Sequence, residues 1–229
     1  MHLTTPPFRI DIPHQKLLKQ IAKRLDNKGF GYGSGHLSHS KNQFYVNIPK
    51  NASSYISVWL INNKWQSKTY KNSDNVREAI IVLRDPVNRW ISGISQYLSS
   101  YVVNDAKITP ETFNEFYNLA IERIIFDVIW QFDDHTWPQF YFFDECLSQI
   151  KNKTYFLLDS NFNHNFKKYL NLEDPINCPR NAPTNNTLIV ANKIKDELSK
   201  NNDLVSKIKE AYEQDYDLIN SVKFIDYSK

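Results

Sequence analysis

Glycine, cysteine and long apolar runs are scarce in this chain, and each scarcity excludes a class of protein. Only five of the 229 residues are glycine, which excludes collagen-like and glycine-rich low-complexity chains. Two cysteines, Cys146 and Cys178, are too few and too distant for a disulfide framework or a zinc site, so reduced thiols and no metal are expected. No stretch approaches the roughly 20 apolar residues of a membrane span, and the first residues lack the apolar core of a secretory signal. A cytoplasmic location is therefore expected.

The residues that are present suit a globular domain with a basic N-terminal region. Hydrophobic residues make up 41% of the chain and aromatic residues 14%, enough to bury a core, and the length suits one domain better than two. Net charge is +3, but residues 1–50 carry eight Lys or Arg against two Asp, an excess of +6. Such an excess suits anionic ligands near this region, although it is also common on solvated surfaces.

Within a single domain of residues 1–229, residues 1–40 are expected to form a basic extension and residues 41–229 the core. Residues 14–27 of the extension place five apolar side chains on one stripe of an amphipathic helix. Such a helix can lie on a membrane surface or bind a partner, but packing of its stripe onto the domain is favoured. Residues 29–35 hold four of the five glycines without the strand and helix that a dinucleotide fingerprint needs, so a loop is predicted there.

Short apolar segments that alternate with helical ones predict an α/β fold. Runs of apolar, aromatic or β-branched residues predict strands at residues 44–48, 79–83 and 154–158. Helices are predicted after the first strand, from Pro86, after Thr109, and over about residues 191–222 with a break at residues 201–202. This alternation implies a central parallel sheet flanked by helices, with ligands at the carboxyl ends of its strands.

The loop between the first predicted strand and its helix, residues 48–54, has the sequence IPKNASS. A loop at a helix N-terminus presents backbone N–H groups and the positive end of the helix dipole, which together attract an anion. Lys50 adds a full charge, and the hydroxyls of Ser53 and Ser54 add donors; one of these serines is also expected to cap the helix. The loop lacks the spacing of nucleoside triphosphatases, which disfavours a plain kinase or ATPase.

A second junction, residues 83–92 with the sequence LRDPVNRWIS, follows the second predicted strand. An arginine at the strand end and a serine two turns into the next helix, Arg84 and Ser92, can converge on one phosphate. The simpler interpretation is a helix start in which Asp85 caps and Arg84 pairs locally. Arg89 could face a bound anion or form a surface ion pair with Asp85, and the ion pair is favoured.

Both junctions resemble motifs of the sulfotransferases that use 3'-phosphoadenosine 5'-phosphosulfate (PAPS), particularly the carbohydrate and heparan sulfate 2-O branches. The resemblance implies that the 5'-phosphosulfate is held by Lys50, Asn51, Ala52, Ser53 and Ser54. It implies that Arg84 and Ser92 hold the 3'-phosphate, and that Lys50 also stabilises the departing phosphate oxygen. With the strand and helix pattern, it implies a P-loop-like three-layer sandwich that takes PAPS as donor co-substrate and needs no metal.

A general base must take the proton of the acceptor hydroxyl, and histidine is the first candidate because it titrates near working pH. Residues 135–139 resemble a His-x-x-Pro-Gln signature of related carbohydrate sulfotransferases, so His135 is assigned as the base. Asp134 or Asp133 is expected to orient its imidazole or bind the acceptor. Trp137 is expected to stack on a sugar ring of the acceptor.

The chain departs from the family because no histidine lies between the two donor motifs, where the heparan sulfate 2-O and cytosolic enzymes carry their catalytic histidine. Asp74 or Glu78 could replace it, and His36 and His39 are further alternatives. Later in the chain, Arg180 or Asn181 could close over the donor.

Two functions follow from these residues. The first is transfer of a sulfuryl group from PAPS to a hydroxyl of a carbohydrate or other small polar acceptor, with no nucleic-acid partner. The alternative is a catalytically weak nucleotide-binding protein of the same fold that acts as an interaction module, and the missing histidine favours it. A kinase of related fold would need a magnesium-ligating carboxylate beside the first loop, and none is evident.

Overall fold

The computed structural model describes residues 34–69, 75–102, 108–125, 135–142, 150–174 and 185–227. The strands of these segments are β1 (Ser34–Ser38), β2 (Gln43–Val46), β3 (Gln66–Thr69), β4 (Glu78–Leu83) and β5 (Asn152–Leu157). Their α-helices are α1 (Ser53–Asn62), α2 (Pro86–Gln96), α3 (Pro110–Ile125), α4 (Phe162–Leu170), α5 (Asn185–Ser199), α6 (Asn202–Ala211) and α7 (Glu213–Ser221). A π-helical segment (Tyr97–Val102) continues α2, and a 3-10 helix spans Gln139–Phe142. None of the described helices has the length and apolar character that a membrane crossing requires.

The described strands form one mixed sheet in the order β3-β1-β2-β4-β5. Its centre is parallel, because β4 pairs in parallel with β2 on one side and with β5 on the other. Strand β1 pairs in antiparallel fashion with both β2 and β3, so that His36 stands opposite Tyr45 and Ser67. The predicted α/β fold is confirmed, and the antiparallel edge was not predicted.

Strand β1 lies within the residues that were assigned to the N-terminal extension, so the sheet begins earlier in the chain than expected. The predicted loop is wrong at Ser34 and Gly35, which belong to this strand. Gly35 is required because an added Cβ would lie only 1.8 Å from the carbonyl oxygen of Tyr45. The predicted amphipathic helix at residues 14–27 lies outside the described residues.

The chain divides into two compact units, each assembled from separate stretches of sequence. The sheet unit takes its described residues from Ile12–Arg84, Gln139–Asn181 and Asp217–Lys229, and it holds the sheet with α1 and α4. The helical unit takes its described residues from Asp85–Pro138 and Ala182–Tyr216, and it holds α2, α3, α5 and α6. Organisation as a single domain stays a prediction.

The core of the sheet unit surrounds strand β4. From Ala79 to Leu83 no residue is more than 1% exposed, so both faces of the strand are buried, as its uninterrupted apolar run predicts. On one face, Phe166 of α4 lies 5.2 Å from Phe156 and 5.6 Å from Trp59, measured between ring centroids. Each buried aromatic side chain contributes roughly 1.5–3 kcal/mol. This packing holds α1, and with it the loop that precedes α1.

The helical unit begins with α2, which starts at Pro86 as predicted. Asp85 caps this helix, because its carboxylate accepts from the Asn88 N–H at 2.8 Å. Thr109 caps α3 in the same way, with its hydroxyl accepting from the Thr112 N–H at 3.2 Å. The predicted starts of both helices are confirmed.

The helical tail and its break at Asn201 are confirmed, but the tail begins earlier than predicted, at Asn185, and has a second break at Tyr212. Asn201 ends the linker after α5 and caps α6 by accepting from the Leu204 N–H at 3.2 Å. The hydroxyls of Ser99 and Thr187 share a hydrogen bond of 2.6 Å and join the π-helical segment to α5. Because both hydroxyls are buried, this bond ties the two helices at a fixed register.

Candidate functional site

The loop between β2 and α1 carries two non-glycine residues in the left-handed backbone region. Lys50 has a φ of 69°, and Ala52 has a φ of 58°. Each such residue costs roughly 1–2 kcal/mol, so the conformation persists only where its surroundings hold it. The Asn51 N–H donates to the Ile48 carbonyl at 3.2 Å and closes a tight turn around Lys50. Strain of this kind is concentrated at functional sites.

Ala52, and not a serine, is the N-cap of α1, so the expected serine cap is wrong. Ala52 turns the chain through the left-handed region, and Ser53 is already the first helical residue. The Ala52 carbonyl accepts from the Ile56 N–H at 2.9 Å, while the Ala52 side chain makes no capping hydrogen bond and no carboxylate lies in the first turn of α1. A helix N-terminus whose N-cap residue offers no side-chain acceptor suits an external anion. Ser53 is half-buried and Ser54 is exposed at this turn.

Asn51 anchors the loop to strand β4. Its side chain is fully buried, and its Nδ2 group donates to the Val82 carbonyl at 2.8 Å and to Gln139 Oε1 at 2.6 Å. Its Oδ1 atom is buried without a hydrogen-bond partner. The Asn51 side chain thus links the loop to the sheet, and its expected contact with a ligand stays a prediction.

Arg84 follows β4 directly and contacts the same loop. Its guanidinium donates to the Lys50 carbonyl at 2.9 Å. Its backbone N–H donates to Gln139 Oε1 at 2.9 Å, and its carbonyl accepts from Gln139 Nε2 at 2.8 Å. The loop and Arg84 therefore meet at the carboxyl ends of two neighbouring parallel strands, which is where the sequence predicts a ligand. The positive charges of Lys50 and Arg84 both belong to this edge.

In the helical unit, the segment that carries His135 is fastened to helix α2. An added Cβ on Gly93 would lie 2.7 Å from the His135 carbonyl oxygen, so only glycine allows this approach. The Tyr212 hydroxyl donates to the carbonyl of Thr136. Ser92, half-buried on α2, immediately precedes Gly93. The structure thus brings the main chain of His135 against the turn of α2 that carries Ser92.

Two expectations for this segment are wrong. Trp137 is only 6% exposed, so it does not offer the open ring face that was expected to stack on a sugar. Arg89 is 1% exposed and donates to the Trp137 carbonyl, so it does not occupy the expected surface position beside Asp85. The Asp85 carboxylate takes part in the cap of α2 and accepts from the Tyr216 hydroxyl at 3.0 Å. Burial, and after it the charge of Asp85, raises the pKa of Tyr216.

Glu78 lies at the wrong end of strand β4 to replace a histidine at the loop. Glu78 lies five positions before Leu83, so their Cα atoms are about 16 Å apart at the rise of a strand. Its carboxylate accepts from the Gln43 Nε2 group at 2.6 Å and from the hydroxyls of Thr154 and Tyr169. These contacts give Glu78 a role in joining β2, β4, β5 and α4.

The histidines of β1 and its turn differ in their distance from the loop end of β2, because His36 pairs with Tyr45, one residue before that end. His36 is buried in the sheet and stacks on Tyr45 with ring centroids 6.1 Å apart; burial lowers the pKa of His36 to about 4. His39 lies beyond Ser38, which pairs with Gln43 at the start of β2, and its Nε2 atom shares a hydrogen bond with Gln66. His39 therefore lies at the end of β2 that is far from the loop, whereas His36 lies nearer to the loop but is buried within the sheet. The role of His36 as an alternative base stays a prediction.

Several predicted residues lie outside the part of the chain that the structure describes. They are Asp74, Asp133, Asp134, Cys146, Cys178, Arg180 and Asn181. Their predicted roles stay predictions.

Gln139 is the residue of this site whose role the sequence did not predict. It is fully buried at the start of the 3-10 helix, 55 residues beyond Arg84. Its sequence signal is its place as the last residue of the His-x-x-Pro-Gln segment. Comparisons with protein-family models, curated proteins and solved structures find no match for this chain. The function must therefore be argued from the site.

Proposed function

We propose that this chain is a PAPS-dependent sulfotransferase that moves a sulfuryl group to a hydroxyl of a carbohydrate or other small polar acceptor. The observation that carries the proposal is the hydrogen bond from the Arg84 guanidinium to the Lys50 carbonyl. It joins the two segments that resemble the donor motifs, although 34 residues separate them in sequence. The contact brings a lysine loop and an arginine together at one edge of the sheet, as a nucleotide with two anionic groups requires.

The Lys50 loop suits the 5'-phosphosulfate end of the donor. It supplies a lysine and an uncapped helix N-terminus, and no acidic side chain lies in the first turn to compete. The order of strand, anion loop and helix, with β4 parallel to β2, supports a P-loop-like sandwich as the finer description of the fold. Ser53 and Ser54 would donate from the same turn.

Arg84 suits the 3'-phosphate end of the donor. An arginine presents its N–H groups as a planar fork, which matches a phosphate better than the point charge of a lysine does. Its attachment to the Lys50 carbonyl keeps the guanidinium beside the loop, so one nucleotide with two anionic groups can engage both. The assignment of Ser92 to the same phosphate depends on the sequence motif.

In the proposed reaction, the acceptor oxygen forms a bond to sulfur as the bond from sulfur to the 5'-phosphate oxygen breaks in line with it. The departing phosphate gains negative charge, which Lys50 and the first-turn N–H groups of α1 would stabilise. The proton of the acceptor hydroxyl passes to a base, for which we propose His135. The products are the sulfated acceptor and adenosine 3',5'-bisphosphate.

Thermal unfolding with two nucleotides tests the donor assignment. Adenosine 3',5'-bisphosphate at about 100 times its Kd should stabilise the fold by about 2.7 kcal/mol, which is about 5–10 °C for a chain of this length. ATP with magnesium should stabilise it less. Stabilisation by ATP with magnesium alone would contradict the proposal.

Transfer of labelled sulfate from PAPS to mixed glycans then tests whether the chain is an enzyme or a binding protein. Transfer that depends on added glycan supports the enzyme. Tight binding of the bisphosphate without any transfer would support the alternative, a nucleotide-binding protein without turnover.

A further inference from the structure

Gln139 connects Asn51 to Arg84 through three hydrogen bonds of one buried amide. Its Oε1 atom accepts from Asn51 Nδ2 at 2.6 Å and from the Arg84 backbone N–H at 2.9 Å. Its Nε2 group donates to the Arg84 carbonyl at 2.8 Å. The side chain therefore pairs with both backbone groups of Arg84, as a neighbouring strand would, one residue beyond the end of β4.

The backbone of Arg84 determines the orientation of both amides. A backbone N–H only donates and a carbonyl only accepts, so Oε1 of Gln139 must face the Arg84 N–H. Because Oε1 is an acceptor, Asn51 must turn its NH2 group toward it, where that group also reaches the Val82 carbonyl. Oδ1 of Asn51 then remains buried without a donor. The side-chain orientation of Asn51 therefore depends on Gln139.

This dependence extends to the strained part of the loop. Asn51 stands between Lys50 and Ala52, the two residues of this loop whose backbone is in the left-handed region. Asn51 and Gln139 are both 0% exposed, so bulk water does not replace a hydrogen bond that either side chain loses. Loss of the Gln139 amide would thus remove the hydrogen bonds to the Arg84 backbone and, at the same time, the bond that orients Asn51 in the loop.

We propose that Gln139 is a positioning residue that couples the Lys50 loop to Arg84, so that both bind the two anionic groups of one nucleotide as a unit. The identity of the nucleotide rests on the proposed function. The coupling itself concerns contacts within the chain and is measured without a ligand.

Amide hydrogen exchange of the ligand-free protein tests the coupling. Three backbone amides report on the coupling. The Arg84 N–H donates to Gln139, the Asn51 N–H donates to the Ile48 carbonyl within the loop, and the Ile56 N–H donates to the Ala52 carbonyl at the start of α1. In Gln139→Leu, exchange at all three should accelerate about tenfold or more. Faster exchange at Arg84 alone, or at none of the three, would overturn the coupling.

Gln43→Leu is the matched control, because it removes an amide from the other end of the parallel strands. The Gln43 amide donates to Glu78 at 2.6 Å, at the start of β4. This variant should leave exchange at Arg84, Asn51 and Ile56 within about twofold of the wild type. Equal acceleration in both leucine variants would mean a general loss of stability and would also overturn the proposal.

Gln139→Glu adds a pH-dependent readout of the hydrogen bonds to the Arg84 backbone. A protonated carboxyl can accept from the Arg84 N–H and donate to the Arg84 carbonyl, as the amide does, whereas a carboxylate cannot donate. Among the described residues that Gln139 hydrogen-bonds, Arg84 is charged, and it stays protonated across this pH range. The Kd for adenosine 3',5'-bisphosphate, relative to wild type at each pH, should be about tenfold or more weaker at pH 8 and recover toward pH 5.5. A ratio that does not change with pH would overturn the positioning role.

The two proposals fail in different ways. If the wild type does not bind the bisphosphate, the proposed function fails, and hydrogen exchange alone decides the coupling. If the wild type binds and both Gln139 variants bind equally well, the positioning role fails while the donor assignment stands. If Gln139→Leu does not fold, the pH dependence of Gln139→Glu carries the test.

Discussion

Lys50 and Lys64 have the same left-handed backbone conformation, with φ of 69° and 65°, at opposite ends of helix α1. Lys64 follows the helix, is exposed, and its N–H donates to the Ile61 carbonyl at 2.9 Å. An alanine at either position meets the same backbone strain. The two lysines therefore form a matched pair in which only Lys50 stands at the proposed donor site.

We expect Lys50→Ala to lower kcat for sulfate transfer by about 100-fold to 1000-fold, because it removes the charge that stabilises the departing phosphate. Lys64→Ala should retain kcat within about twofold, and both variants should unfold within about 0.5 kcal/mol of the wild type. Initial rates with labelled PAPS and urea unfolding measure the two quantities. Equal rates in the two variants would contradict the role of Lys50.

Arg84 and Arg77 give a second matched pair, since each stands one residue outside an end of β4. Arg84→Ala should weaken binding of adenosine 3',5'-bisphosphate about 10-fold to 150-fold, the equivalent of 1.5–3 kcal/mol for charged hydrogen bonds. Binding of adenosine 5'-monophosphate should change by less than about threefold, because that ligand lacks the 3'-phosphate. Calorimetric titration of both ligands measures this. Arg77→Ala should match the wild type, and an equal loss for both nucleotides would contradict the 3'-phosphate assignment.

His135→Ala should separate turnover from donor binding. Removal of a general base lowers kcat by about 100-fold to 10,000-fold, while Kd for the bisphosphate should stay within about twofold. His164→Ala on helix α4 is the control, because that side chain is exposed on a helix of the sheet unit. Unchanged kcat in His135→Ala would remove His135 as the base and leave Asp74 as the next candidate to substitute.

His36 should make stability fall in mild acid. Burial lowers its pKa to about 4, against 6.5 in the unfolded chain, so the unfolded state binds the proton more readily. The contribution of neutral, buried His36 to the free energy of unfolding is present above pH 6.5 and is lost as the pH falls from 6.5 to 4. About 2 kcal/mol is lost between pH 7.5 and pH 5. Urea unfolding at the two pH values measures this loss.

The pH dependence assigned to His36 has its own control. His36→Phe keeps a ring against Tyr45 and should remove about 2 kcal/mol of the difference between the two pH values. His39→Phe changes an exposed histidine and should keep the difference. If His36→Phe shows the wild-type difference, the titration of His36 is not its cause.

Strands were predicted correctly where their residues are apolar enough to require burial. Strands that form only because they pair with a neighbouring strand were missed. Strand β4 is apolar on both faces, so its sequence requires a buried centre. Strand β3 has the sequence QSKT, is exposed throughout and lies at the edge of the sheet, so it has no apolar pattern to detect. Strand β1 depends on Gly35, whose glycine-rich sequence is typical of a loop, and its close approach to the Tyr45 carbonyl is a tertiary contact without a local sequence signal.

The position of a site residue could be predicted where that residue lies in the loop between a strand and the helix that follows it. Lys50 and Arg84 each follow a strand, so parallel topology brings them to one edge. Gln139 reaches the same edge from a distant stretch, and nothing in a lone glutamine indicates such a contact. Arg89 and Trp137 were expected at surfaces because of their chemistry, whereas tertiary packing buries them against each other's segment.

A crystal structure with adenosine 3',5'-bisphosphate tests the central claim most directly. We predict the 5'-phosphate within hydrogen-bond distance of Lys50 Nζ and of the first-turn N–H groups of α1, with the 3'-phosphate on the Arg84 guanidinium. A nucleotide bound elsewhere, or the reverse orientation with the 3'-phosphate in the Lys50 loop, would contradict the account.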